Sequence, residues 1–382
     1  MVKMGLFSKF QRSPLDIWLI ATTIFLVIFG LLTIYDATVI VAFRDFGDKL
    51  YYFKNQLTWV SLGFMSLFFF AFFDYHKLLK ISPIVLMFSI LLLIMVLVPH
   101  IGSKVYGARR WISLGNFTFQ PSEITKLVLI FYEVAIISRF EKYKISLQDA
   151  AIVLFLPAVL ATGLVLAERD LGTALIFIAI TLTTYFVGGG PIWHFALVIP
   201  LLVVATIGAI SIELYRLARL KCFLNPAFDV QGACYQINQI LIALSAGGLL
   251  GVGLGGSRAK FAFIPEVQSD AIFAIVVEEL GFLGASFLIL AFIFLISRAI
   301  KIAKEASDFP GKVLAAAIAG LFSIQTFFNL ASVVALIPLT GISLPFISYG
   351  GSSLFVMMAA IGILLNIARQ RREVLLSTRA EK

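Results

Sequence analysis

Charged side chains are rare in this sequence, so the few that stand near one another invite a chemical reading. Glu123 and Lys126 are three residues apart in an apolar stretch. On a helix that spacing puts both on one face, where they can form a structural ion pair or hold a polar ligand together; spacing alone supports the two equally. Asp170 directly precedes the apolar run that opens at Leu171, where a carboxylate suits the free N–H groups and positive end of a helix. Such capping is compatible with a part in shaping a cavity. Asp270 follows Pro265-Glu266-Val267-Gln268-Ser269 and opens another apolar run, in a stretch that also carries Arg216, Arg219, Lys221, Arg258 and Lys260. It could cap a helix, but a carboxylate among cations is also the arrangement of a base acting on a phosphorylated ligand. Glu278 and Glu279, about two turns further on, are expected to lie deeper and pack against polar groups.

Other chemistries find no support. His76, His100 and His194 have no metal-ligand spacing with Cys222 or Cys234, and no Ser-His-Asp arrangement is apparent, so a protein-held zinc site is not expected. The glycines from Gly247 to Gly256 lack the Lys-Ser/Thr of a phosphate-binding loop and read as a turn or a close-packing surface. Cys222 and Cys234 both fall in the long outer connection, where an oxidising compartment would permit a disulfide; because spacing alone does not bring their Cα atoms within bonding distance, two unpaired thiols are the favoured reading.

The elements that must position these residues are set by composition. The chain has 382 residues, 60% hydrophobic and 13% charged, with a mean hydropathy of +1.01; a soluble domain carries about 25% charge. Charge-free windows at Ile17 to Tyr35, Asn55 to Phe73, Ile81 to Ser103 and Ala150 to Ala167 are each about long enough to cross a bilayer as helix. Leu171 to Ile212 is double length and is broken by Gly188-Gly189-Gly190-Pro191. Val313 to Ala368 is also double, with a Pro-, Gly- and Ser-rich middle from Ile337 to Ser352 that reads as non-helical. With weaker spans near Pro121 to Ser138 and Ala271 to Ser297, an all-α polytopic membrane protein of about ten crossings is expected, in one domain with both termini on one side.

The net charge of +9 is not clustered as a nucleic-acid footprint. Lys3, Lys9 and Arg12, then Lys77 and Lys80, then Arg139, Lys142 and Lys144, then Arg298, Lys301, Lys304 and Lys312, and finally Arg369, Arg371, Arg372 and Arg379 fall at alternate connections. The positive-inside rule makes that side, with both termini, cytoplasmic. Arg109 and Arg110 break the pattern on the opposite side. The first apolar run is too long for a cleavable signal and is expected to remain as the first helix. The longest connection, Glu213 to Asp270 between the seventh and eighth spans, is expected outside, with an interfacial helix in Tyr235 to Leu254 and then a glycine turn.

Several motifs carry a family resemblance: Gly107-Ala108-Arg109-Arg110-Trp111-Ile112, Gln120-Pro121-Ser122-Glu123 with Lys126, and Asp170-Leu171-Gly172-Thr173. Further matches are Tyr235-Gln236, the glycines at 247 to 251, Glu278-Glu279-Leu280-Gly281, and Leu344-Pro345-Phe346-Ile347-Ser348-Tyr349-Gly350-Gly351-Ser352-Ser353. In this order they resemble the SEDS family of shape, elongation, division and sporulation proteins. The run Gly253 to Lys260 and the ending Gly362 to Ile367 look more like division members than elongation members. Gln268-Ser269-Asp270-Ala271 stands where the family has His-Thr-Asp-Phe, and Glu168-Arg169 where it has Gln-Pro.

The resemblance implies a peptidoglycan glycosyltransferase of the bacterial cytoplasmic membrane that polymerises lipid II outside it. A class B penicillin-binding protein and other divisome membrane proteins at the septum are the implied partners, with no nucleic acid. It places the family's essential aspartate at Asp270, its Glu and Lys pair at Glu123 and Lys126 and its arginine before tryptophan at Arg110; Asp270 is then taken as the catalytic base, and Arg110, Glu123, Lys126, Asp170, Gln236, Lys260 and Ser348 as substrate-binding candidates. No tightly bound cofactor is implied; Mg²⁺ or Mn²⁺ could assist the leaving pyrophosphate. The alternatives are an elongation polymerase of the same family and a lipid II transporter.

Overall fold

In hydrocarbon only a helix satisfies all the main-chain polar groups of a single apolar run within itself, and the long runs are indeed helical. A computed structural model of the chain describes residues 16–105, 108–115, 117–143, 147–258, 260 and 267–380. Lys3, Lys9, Arg12, Gly107, Lys144, Ala259, Pro265 and Glu266 lie outside the described residues.

The elements are α1 (Ile17–Phe46), α2 (Tyr51–Phe72), α3 (Tyr75–Leu97), β1 (Gly102–Val105), β2 (Ala108–Leu114), β3 (Phe117–Phe119), α4 (Pro121–Tyr143), α5 (Leu147–Ala167) and α6 (Leu171–Val187). They continue as α7 (Ile192–Ile212), α8 (Leu214–Leu224), α9 (Tyr235–Gly247), α10 (Ile272–Glu305), α11 (Phe309–Val333) and α12 (Gly351–Ala380). Seven of the described helices are long and apolar enough to cross a membrane. The others at spanning positions are α5 and α6, whose apolar stretches are shorter, and α4, which carries Glu123, Lys126 and Glu133 buried within it. The chain is a polytopic, mostly helical membrane protein. Of the apolar window of α12, 78% is buried, against 0% for α7, so α12 lies at the centre of the bundle and α7 at its lipid-facing edge. Gly362 of α12 approaches the Leu67 carbonyl of α2 closely enough that a Cβ would stand 2.4 Å from it.

Helix ends follow local chemistry. Asp16, Asp74, Asp170 and Asp308 cap α1, α3, α6 and α11, each accepting a main-chain N–H of the first turn. The capping reading of Asp170 is thus borne out, whereas the N-cap residue of α10 is Ala271 rather than Asp270.

Three features were not in the sequence reading. The connection after α3 folds into a small antiparallel sheet of order β1-β2-β3. Ser103 pairs with Trp111 and Lys104 with Arg109, which leaves Arg110 as the extra residue of a bulge; bulges redirect side chains. Second, α10 breaks at Gly281 (φ 65°, ψ −168°). The glycine turn after α9 packs on the break and pairs its main chain: Phe282 and Leu283 donate to Gly248 and Leu249, and Val252 and Gly253 donate to Glu278 and Glu279. A Cβ on Gly251 would stand 2.1 Å from the Glu279 carbonyl, so the glycines serve close packing. Glu278 and Glu279 bind the same turn, accepting from Ser257 and from the Arg258 and Ser257 main chain.

Third, Cys222 and Cys234 form a disulfide, with Cα atoms 5.2 Å apart, which corrects the reading as unpaired thiols. The turn at 225–233, closed by Asp229 accepting from Gly232 and Ala233, folds α9 back on α8 and supplies the proximity that spacing could not reveal. For a 12-residue separation the chain-entropy account gives about 3 kcal/mol. The double variant Cys222→Ala/Cys234→Ala is therefore expected to exchange amide hydrogens faster in α8 and α9, with α11 and α12 unchanged, as read by mass spectrometry.

Candidate functional site around Asp270

The non-helical segment between α11 and α12 and the connections holding β2, α8 and α9 meet at one end of the bundle, the end that the positive-inside rule assigns to the outside. Asp270 stands there, half-buried, one residue before the N-cap of α10, and accepts a hydrogen bond from Ser269 Oγ at 3.2 Å. Its carbonyl accepts from Asn329 Nδ2 at 2.9 Å, and the same amide donates to the Ile342 carbonyl at 2.7 Å. Next to Ile342, Gly341 adopts φ 73°, which only glycine takes without strain. Arg219 Nη1 and Asp270 Oδ2 each come within 3.7 Å of the point where a Cβ on Gly341 would stand. A guanidinium and a carboxylate thus face the same bare stretch of main chain. Arg219 is held there by donating to the Leu339 carbonyl at 3.0 Å and by lying over the Tyr215 ring.

Gln236 lines a small cleft with Arg219, the Cys222 side and Ile337 to Leu339, so α9 brings it beside the arginine. Cys222, one half of the disulfide, is part of its lining.

A second group assembles behind the same segment. Gly172 abuts the Thr340 carbonyl and Ile342. There Asp170 caps α6 through Thr173 at 3.0 Å, accepts from Gln120 Nε2 at 3.4 Å and pairs with Arg110 at 3.7 Å. Arg110 also donates to the Arg169 carbonyl, which accepts from Tyr215 as well. The Arg110 cluster and the Arg219 cluster therefore share Tyr215 and the α5–α6 turn. The arginine that broke the positive-inside pattern is part of this cationic rim.

The other expected substrate residues lie elsewhere. Glu123 and Lys126 are 2.7 Å apart and buried, with Lys126 only 1% exposed and donating to Gln325 Oε1 at 2.9 Å. Lys260 is buried between Asp36 and Glu279 at 3.1 and 3.4 Å, on the α1 and α10 side. Ser348 is buried and accepts from the Leu344 main chain at 2.8 Å, closing the loop on itself. Asp270, Arg219 and Gln236 form one group, Arg110 and Asp170 its neighbour, and the side chains of Glu123, Lys126, Lys260 and Ser348 are engaged apart from both. Among the described residues no three His, Cys, Asp or Glu side chains gather as a metal-ligand set.

Sequence reasoning passed over Asn329 and Gln325, uncharged in a charge-free run, although polar residues four apart in an apolar span are a signal. It met Glu168 only as a departure from the family motif; this residue is buried beside Arg110 and Asp170, and among the described residues neither carboxyl oxygen has a hydrogen-bond partner. Burial first, and then the charge of Asp170, push its carboxyl up to about 9, against the opposing pull of Arg110. A carboxyl raised in the folded state contributes stability that is complete below its ordinary value of 4.5 and is lost as pH rises through about 9. The thermal midpoint in detergent should therefore fall between about pH 4.5 and pH 9 and level off above that, and Glu168→Gln should flatten the fall.

The chain matches the cell cycle protein family of FtsW, RodA and SpoVE over residues 17–373. It is 37% identical over 366 residues to stage V sporulation protein E of Bacillus subtilis, covering 95% of this chain and 99% of that one. With the probable peptidoglycan glycosyltransferase FtsW of Trichlorobacter lovleyi it shares 37% over 369 residues, covering 94% and 95%. Among solved structures it is similar to a chain from work on the coordination of polymerization and crosslinking by a peptidoglycan synthase complex (TM-score 0.76, 26% identity, covering 94% of this chain and 98% of that one). The rod shape determining protein RodA of Thermus thermophilus gives a TM-score of 0.69 at 26% identity, covering 94% and 97%. The matched residues, the two-way coverage and the shared helical architecture lead to one conclusion: this chain belongs to the FtsW/RodA/SpoVE family.

Proposed function

We propose that this protein is a peptidoglycan glycosyltransferase that polymerises lipid II at the outer face of the cytoplasmic membrane, serving septal wall synthesis with a class B penicillin-binding protein. One observation supports the reading above others: Asp270 and Arg219 face the same side-chain-free backbone at Gly341, with the Arg110 cluster adjoining through Tyr215 and the Arg169 carbonyl.

Asp270 takes the proton of the acceptor's N-acetylglucosamine 4-hydroxyl as its oxygen bonds the anomeric carbon of the donor. The bond from that carbon to the lipid pyrophosphate breaks, and the electron pair leaves with the pyrophosphate. A single displacement inverts the centre, from an α-linked donor to a β-linked strand. One carboxylate suffices because pyrophosphate leaves without protonation, whereas glycosidases must protonate an alkoxide. The leaving group needs positive charge instead, which Arg219 and Arg110 supply as preorganised donors. The isoprenoid tail stays in the bilayer beside the bundle.

The buried Glu123–Lys126 pair is the observation a lipid transporter would claim, since intramembrane charge marks transport paths. Lengthening of glycan by purified protein and lipid II in detergent separates the readings, because no transbilayer gradient exists there. The parent should form polymer, and Asp270→Asn should lose about 10²- to 10⁴-fold in rate while remaining folded. Polymer formation by Asp270→Asn at the parental rate would sink the assignment, and no polymer from the parent together with its penicillin-binding protein would favour the transporter.

A further inference from the structure

Asp270 and Gly341 belong to different elements, the start of α10 and the connection after α11, and their relative placement must be set by something between them. The side chain that spans the gap is Asn329, fully buried on α11. Its amide nitrogen donates to two main-chain carbonyls, Asp270 at 2.9 Å and Ile342 at 2.7 Å. Two carbonyl oxygens facing one end of a carboxamide require the NH₂ there, since the opposite orientation would set acceptor against acceptor. Among the described residues its Oδ1 has no hydrogen-bond partner, and a buried acceptor left bare costs about 1–3 kcal/mol. An apolar residue of the same shape would avoid that cost, so what this position uses is the pair of donors.

One turn earlier on the same face, Gln325 repeats the arrangement. Its Nε2 donates to the Ser343 carbonyl at 3.1 Å, and its Oε1 accepts from Lys126 Nζ at 2.9 Å. Spaced four apart, the two carboxamides hold the consecutive carbonyls of Ile342 and Ser343. Lys126, 1% exposed, has no reach to a ligand at the surface. Its contact with the site runs through Gln325, and Glu123 holds its charge at 2.7 Å.

We infer that Gln325 and Asn329 form a two-rung carboxamide ladder on α11 that sets Asp270 against the Gly341 backbone, and that the buried Lys126–Glu123 pair is a positioning element acting through its first rung. Neither carboxamide is a catalytic residue. The ladder rests on the reading of Asp270 as the base. A carboxylate displaced by about an ångström loses on the order of 10²-fold in rate, while the arginines that hold the pyrophosphate are untouched. Removing a rung therefore lowers kcat and leaves KM.

Steady-state polymerisation of lipid II by the purified full-length protein tests this with Asn329→Leu, Gln325→Met, Lys126→Met and Asp270→Asn. Asn329→Leu and Gln325→Met are expected to lose on the order of 10²-fold in kcat with KM within about threefold of the parent. Combining Lys126→Met with Gln325→Met should lose no more than the worse single change, because both break one chain of contacts. The ladder is overturned if Asp270→Asn is inactive while both carboxamide variants keep the parental kcat, if their loss lies in KM, or if the Lys126 and Gln325 losses multiply. A carboxamide variant that no longer yields folded, monodisperse protein overturns it too, since the side chain would then serve the fold. Parental activity in Asp270→Asn is a different result: it removes the base on which the ladder depends and leaves the ladder without a function.

Discussion

Between α11 and α12 the main chain runs without helix, half-buried from Ile337 to Thr340, exposed at Gly341 and mostly buried from Ile342 to Ser348. Where it is buried, its N–H and C=O groups need partners other than water or their own helix. The partners come from all around. Gln325 and Asn329 of α11 hold the carbonyls of Ser343 and Ile342, Gln56 of α2 accepts from Gly350, the Gln268 carbonyl accepts from Tyr349, and Ser348 accepts from Leu344. Phe346 takes φ 64° within this segment, and its carbonyl lies so near α1 that a Cβ on Gly30 would stand 2.4 Å away. Satisfying one irregular stretch thus draws α1, α2, α10 and α11 to the same place, and that place is the floor of the candidate site.

The second irregularity is handled in the same way. Where α10 breaks at Gly281, the glycine turn after α9 supplies the missing pairs, and Glu278 and Glu279 fasten the rest of that turn. Lys260, which the family motif suggested for substrate, closes this fastening against Asp36 and Glu279. Buried ion pairs add little net stability but are costly to break from one side. Such pairs therefore hold geometry, as Glu123 with Lys126 does on α4.

Charge that remains for a ligand lies along the rim. Arg110 on its bulge, Arg219 on α8 and the polar groups of the α5–α6 turn are tied by main-chain carbonyls more than by carboxylates, which leaves their positive field in place for an anion. The disulfide holds α8 to α9 and so fixes the helix that carries Arg219.

Much of this was legible from residue types. Apolar runs too long and too free of charge for water determined the membrane bundle, Gly and Pro marked its interruptions, and the positions of Asp270, Arg110, Asp170 and the Glu123–Lys126 pair stood out because charge is costly in lipid. Motif order carried the family. What only the tertiary structure decided is which of those charges meet. Arg219 rather than Lys260 stands by Asp270, Cys222 bonds Cys234, and two uncharged amides on α11 join the base to its loop. No local pattern encodes these, because they follow from unpaired backbone groups seeking partners across the bundle, a requirement that exists only once the helices are packed.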